Sequence, residues 1–317
     1  MRTPSPYRSR PSRALALALL ACACSPSAST EDAKTVEAGS AEPRIVLAAN
    51  YPLAYFAERL AGESAEVSYP GPPDEDPAFW QPDRAALRRL QSADLLLLNG
   101  PGYSSWVGAL SLSIDRTIET TASFEDSWIE AEASTVHVHG PEGTDGGAHV
   151  DLTTWLDPAL AREQARAIAA ALSRIDPSQR ELHAARLESL EDDLADLESR
   201  LKQAVGTETD RPLLASHPVY AYLERALGLN LRSVHFEPHL APDAEGWREL
   251  DELLATHPAE LMIWEGEPLP ETVRELGNRG VRIVVFDPCA AAPSGEDWLE
   301  SMRENARSLG EAFSQAH

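Results

Sequence analysis

Along residues 176–205, Leu187, Leu190, Leu194, Leu197 and Leu201 recur at alternating spacings of three and four, so their side chains share one stripe of a helix and charged residues cover the rest. Pro177 suits a first helical turn, where its missing N–H is no loss, and Gly206 followed by Pro212 ends the run. At about 1.5 Å per residue the predicted helix spans roughly 40 Å, longer than one small domain needs. It reads as a spine.

On either side, short apolar runs alternate with amphipathic ones. In the first half the pattern predicts strands at 44–50, 65–69 and 94–98, with helices at 53–60 and 83–91 and a short helix after Asn99-Gly-Pro-Gly102. Pro70 to Pro77 holds too many prolines for regular structure. Between Ser123 and Asp151 the periodicity dissolves into a loop of glycines, acids and three histidines, His137, His139 and His149, before a helix at 159–174. In the second half, apolar runs at 212–215, 231–236, 261–264 and 281–286 are separated by helical segments at 219–227, 244–255 and 271–277 and followed by a helix at 296–313. Strand and helix alternate throughout, which predicts an α/β protein with parallel sheets in two Rossmann-like halves braced by the spine. The expected divisions are a first lobe at 44–175 carrying a His-rich loop at 134–150, the spine at 176–206, and a second lobe at 207–317.

The first 43 residues stand apart. Arg2, Arg8, Arg10 and Arg13 form a basic leader, and 14–21 is an apolar run too short to span a bilayer, which together read as a secretion signal at 1–21. Leu19-Leu20-Ala21-Cys22 resembles a bacterial lipobox, in which the mature chain begins at a lipidated Cys22. The small, polar and acidic stretch at 22–43 is expected to be a flexible tether. Three cysteines, two of them in this leader and tether, give no disulfide framework. The formal net charge of -24, from 51 acidic and 27 basic residues, argues against nucleic acid, whose phosphates need Lys and Arg. A cationic partner fits better, although acidic surfaces also serve solubility.

Chemistry gathers where the four second-half strands end. Ser216-His217 follows the first, His235 and Glu237 the second, Glu265 the third and Asp287 the fourth. In open α/β sheets ligands bind outside the carboxyl ends of the strands, so these residues are expected to converge. Imidazole and carboxylate without thiolate suit zinc or manganese, with zinc ahead as imidazoles accumulate. His139 and His149 in the loop supply further imidazoles. Enzyme signatures are absent: there is no His-Glu-x-x-His pair, no Gly-rich phosphate loop, and neighbours such as Ser216 and His217 point to opposite faces of a strand.

These residues resemble the substrate-binding lipoproteins of bacterial zinc and manganese ABC importers. The resemblance runs through Tyr51-Pro-Leu, Asp76-Pro77 with Trp80-Gln-Pro82, Ala93-Asp-Leu with Asn99-Gly100, Trp155-Leu-Asp-Pro158, Ser216-His-Pro-Val-Tyr220, Leu227-Gly-Leu229 and Phe286-Asp-Pro288. It implies two four-stranded α/β lobes bridged by a long helix, with a metal held in the cleft by three His and one carboxylate. His217 and Asp287 fall on two of those positions. Ala78 and Thr153 stand where the family carries its other two His. Either His139 and His149 take over, with Glu265 or His235 helping, or the altered site holds a different ligand.

The expected protein is therefore a monomer, lipid-anchored at Cys22 on the periplasmic or cell-surface side of a membrane. Through His139, His149, His217, Glu265 and Asp287 it captures zinc, or manganese after it, for an ABC permease. Two other readings remain open: a metal-dependent hydrolase using His217, Glu265 and Asp287, and an acidic surface adhesion or scaffold protein.

Overall fold

The computed structural model describes residues 43–72, 75–100, 102–109, 111–130, 151–293 and 295–315. Strand β1 (Arg44–Ala48) runs inward from an exposed start to a buried end. It gives way to α1 (Tyr51–Ala61), whose entry is fixed by Asn50, the side chain accepting from Leu53 N–H at 3.2 Å, and by Pro52 in the first turn. Gly62, at φ 55, closes α1. Next come β2 (Ala65–Ser68), α2 (Arg84–Ser92) capped by Asp83, and β3 (Leu95–Leu98), four leucines buried on both faces as a central parallel strand requires. A fourth strand, β4 (Thr117–Glu119), completes a sheet of order β2-β1-β3-β4, parallel throughout. The apolar pattern gave no sign of β4, because its half-buried Thr-Ile-Glu at a sheet edge carries no apolar run.

Helix α3 (Pro158–Ile175) starts at the Asp157 cap and leads to the spine. The spine is α4 (Arg180–Val205), shorter at its start than the periodicity suggests. Asp176 caps a separate 3-10 turn, Pro177–Gln179, before the α geometry begins. Its stripe is buried at Leu190, Leu194, Leu197, Leu201 and Val205, packed between α3 and the last helix of the chain, Trp298–Ser314. Burying each leucine contributes about 1.5–3 kcal/mol.

The second sheet repeats the plan: β5 (Pro212–Ala215), α5 (Ala221–Leu227), β6 (Asn230–Ser233), α6 (Ala244–Thr256), β7 (Leu261–Trp264), α7 (Pro270–Asn278), β8 (Arg282–Val285) and α8 (Trp298–Ser314). Its order is β6-β5-β7-β8, again all parallel. β6 stops before the apolar run does, yet Val234 N–H still donates to Ala215 O and Phe236 N–H to Ser216 O, so the pairing continues irregularly into the loop.

One hydrophobic core reaches from β1 through α3 and α4 to β8 and α8. Trp298, fully buried at the head of α8, meets Phe56 of α1 edge-on at 5.0 Å and Tyr55 at 5.8 Å. Asp193 on the spine binds Arg59 of α1 at 2.7 Å and Arg303 of α8 at 3.1 Å. Both halves are thus pinned to the same helix.

Candidate metal centre

Every polar group of interest sits just beyond the carboxyl end of a strand. In the second sheet, β5 leads into Ser216, whose hydroxyl accepts from Glu265 N–H at 3.2 Å and so joins the ends of β5 and β7. That engagement leaves Ser216 structural. His217 follows, in a tight turn closed by Val219 N–H on its own carbonyl at 2.9 Å. His235 lies past β6, its ring edge-on to His217 with centroids 6.3 Å apart.

Asp287, past β8, is held from two directions. Asn305 of α8 accepts from its N–H at 3.1 Å and donates to its carbonyl at 2.7 Å, while the Asp287 carboxylate accepts from Cys289 N–H at 2.7 Å. The turn this makes places Cys289 at φ 53, a left-handed conformation rare for a residue with a Cβ.

The first sheet faces this edge with the loop after β2. Asp76 opens a helical turn there: its carboxylate accepts from Ala78 N–H at 2.8 Å and its carbonyl from Phe79 and Trp80 N–H at 3.0 Å each. Trp80 anchors the turn by packing edge-on against Tyr69 and Trp106.

The electrostatics tie the two edges together. Burial pushes the Glu265 carboxyl up to about 7, helped by the charges of Asp76, Asp287 and Glu237. Asp76 is raised by burial and by Glu237, against the lowering effect of the Ala78 N–H. Asp76 is nonetheless an exposed residue.

Of the expected ligands, His217, Glu265 and Asp287 stand on adjacent strand ends, with His235 beside His217. His139 and His149 lie outside the described residues, as do His137 and Cys22. As placed, no three His, Cys, Asp or Glu side chains among the described residues are grouped closely enough to hold one ion. Thr153 takes no part in the cleft chemistry: its hydroxyl donates to Val219 O at 2.6 Å, across to the His217 turn. Two of the other described histidines are structural. His183 contacts the Ser173 and Ser64 hydroxyls at 3.1 and 3.4 Å, and His257 meets the Leu213 carbonyl at 2.9 Å.

The model of the ZnuA family, described as zinc-uptake complex component A, periplasmic, matches residues 46–312. The zinc-binding lipoprotein AdcA of Streptococcus pneumoniae strain R6 is 22% identical over 276 residues, covering 84% of this chain and 55% of that protein. The manganese-binding lipoprotein MntA of Halalkalibacterium halodurans is 27% identical over 175 residues, 55% of this chain and 54% of its own length. The chain thus spans about half the length of these curated relatives. Among solved structures, Zn(II)-bound AdcA from S. pneumoniae superposes with a TM-score of 0.73 at 21% identity, covering 87% of this chain and 58% of that one, a likeness of fold.

Proposed function

The chain belongs to the family of periplasmic zinc-uptake complex component A, and on that premise we propose that it captures a divalent metal ion outside the cytoplasm and delivers it to an ABC importer. It is a binding component, not an enzyme. Zinc is the leading cargo and manganese the second, in keeping with the names of the relatives. The observation that supports the reading is the placement of His217, His235, Glu237, Glu265 and Asp287 just after the strands of one sheet, with the His217 and His235 rings side by side. Imidazole nitrogen and carboxylate oxygen together suit a first-row divalent ion.

The proposed coordinating groups are His217, Glu265 and Asp287, completed from the first half of the chain, where His139 and His149 are the imidazole candidates. An ABC permease is the proposed recipient and a lipid on Cys22 the proposed anchor. No helix among the described residues is long and apolar enough to cross a membrane. The proposed division is a lobe at 44–175, the spine at 176–206 and a lobe at 207–317.

Calorimetric titration of the purified, chelator-treated protein with zinc tests this. Binding is expected at one site, and His217→Ala should weaken it strongly, because a site of four donors that loses an imidazole must accept water instead. Affinity unchanged by that substitution would remove His217 from the site.

A further inference from the structure

We infer that Tyr220 and Thr153 are positioning residues of the cargo site: their hydroxyls close a ring of hydrogen bonds that fixes the turn carrying His217 against the turn carrying Asp287. The inference rests on the proposed capture function and names what sets the spacing of two of its ligands.

The need for such a ring follows from the sheet. His217 comes after β5 and Asp287 after β8, and these strands are not neighbours, because β7 lies between them. Strands in a sheet stand about 4.8 Å apart, so the two turns are rooted roughly 10 Å from each other. Zinc takes its donors at about 2.0–2.2 Å in a tetrahedron, and a site works only when its groups are held within about 0.5 Å of the productive geometry. Two turns on separate strands reach that precision only if something ties them together.

Three bonds make the tie. Tyr220, three residues past His217 and 1% exposed, donates its hydroxyl to the Phe286 carbonyl at 2.7 Å, and its ring meets the Phe286 ring edge-on at 5.9 Å. Phe286 is the residue before Asp287, so this bond joins the two turns directly across the end of β7. The other two bonds pass through the first half of the chain. Thr153 donates to Val219 O at 2.6 Å, inside the His217 turn, and the Trp155 indole donates to Pro288 O at 2.8 Å, one residue past Asp287. The ring therefore runs from the His217 turn through Tyr220 to the Asp287 turn, on to Trp155, and back through Thr153.

Each acceptor is a main-chain carbonyl within two residues of a proposed ligand, so the bonds act on the backbone that aims the ligand rather than on the ligand itself. All three donor residues are buried, which makes water a poor replacement for any of them. A fixed spacing also discriminates between cargoes. Zinc demands its tetrahedron, whereas manganese accepts six oxygen donors and fills open positions with water, so it tolerates turns that have drifted apart.

The test is zinc and manganese titration of the purified, chelator-treated protein carrying Tyr220→Phe or Thr153→Val, each of which removes one hydroxyl and keeps the shape of the side chain. Zinc affinity should fall by about 10–100-fold in each, the range for groups that orient a ligand, and manganese affinity by no more than about threefold. Leu253→Ala is the control, a partly buried leucine packed on the face of the second sheet opposite the shared core. It should lower the urea midpoint at least as far as Tyr220→Phe does, yet leave both affinities within about threefold of the parent. Either hydroxyl variant binding zinc like the parent would overturn the inference and leave the capture function standing. So would zinc and manganese weakening by the same factor, or Leu253→Ala weakening zinc as much, since general loosening moves all of these alike. A parent protein that binds neither metal would overturn both.

Discussion

At the scale of single residues, the most consequential side chain that touches no cargo is Asn305. It grips the Asp287 backbone from both sides, at 3.1 Å and 2.7 Å, and is itself buried in α8. Asn305→Ala leaves the half-buried Asp287 N–H without its partner and its carbonyl with only the weak Cys289 thiol at 3.5 Å, at a cost of about 1–3 kcal/mol. It should also loosen Asp287 and weaken zinc binding by about 10–100-fold, as losing a group that orients a ligand does. Urea denaturation and zinc titration of the same preparation check both, and a variant equal to the parent in each would dismiss the clamp. His217 and Asp287 could be read from the chain because strand ends carry local signals, an apolar run followed by a polar residue. Asn305 could not, since its partner lies 18 residues away and nothing in the pattern of α8 distinguishes it from a surface amide.

Among the elements, the spine shows both what periodicity reveals and what it hides. The leucine stripe of α4 predicts which face is buried, and Leu190 through Leu201 are buried as that stripe requires. The same helix carries His183, 1% exposed and inserted between α3 and the turn after α1, where Ser173 and Ser64 meet its ring. A polar residue on an apolar face is invisible to hydrophobic spacing, as was β4, because tertiary pairing decides both. Burial holds the His183 pKa below its ordinary 6.5; Asp176 opposes this and the nearby Arg186 adds to it. The neutral ring therefore contributes stability that is complete above about pH 6.5 and is lost as pH falls through the lower folded value. Stability measured by urea at pH 7.5 and pH 5.0 should drop more in the parent than in His183→Gln. Equal drops would mean that His183 titrates alike in the folded and unfolded chains.

Taken whole, the described residues from Pro43 onward form one compact unit despite the two sheets. The shared core, the Trp298 contact with α1 and the Arg59–Asp193–Arg303 bridge leave neither half a complete surface of its own. Urea unfolding is accordingly expected to be a single transition, with far-UV circular dichroism and tryptophan fluorescence superimposing, since both halves carry tryptophans. Curves that separate would mean that each sheet holds itself together. The bonds that cross between the halves have a further property. Tyr51 N–H donates to Ala290 O at 2.9 Å, the Trp155 indole to Pro288 O at 2.8 Å, and Thr153 to Val219 O at 2.6 Å. Each lands within three residues of Asp287 or His217, on the very turns that present them. On the proposed ligand set, the seam between the halves and the turns that present His217 and Asp287 are therefore one mechanical system, a pair of tongs whose rivets sit in its jaws. A partner that pries the halves apart tugs those turns directly.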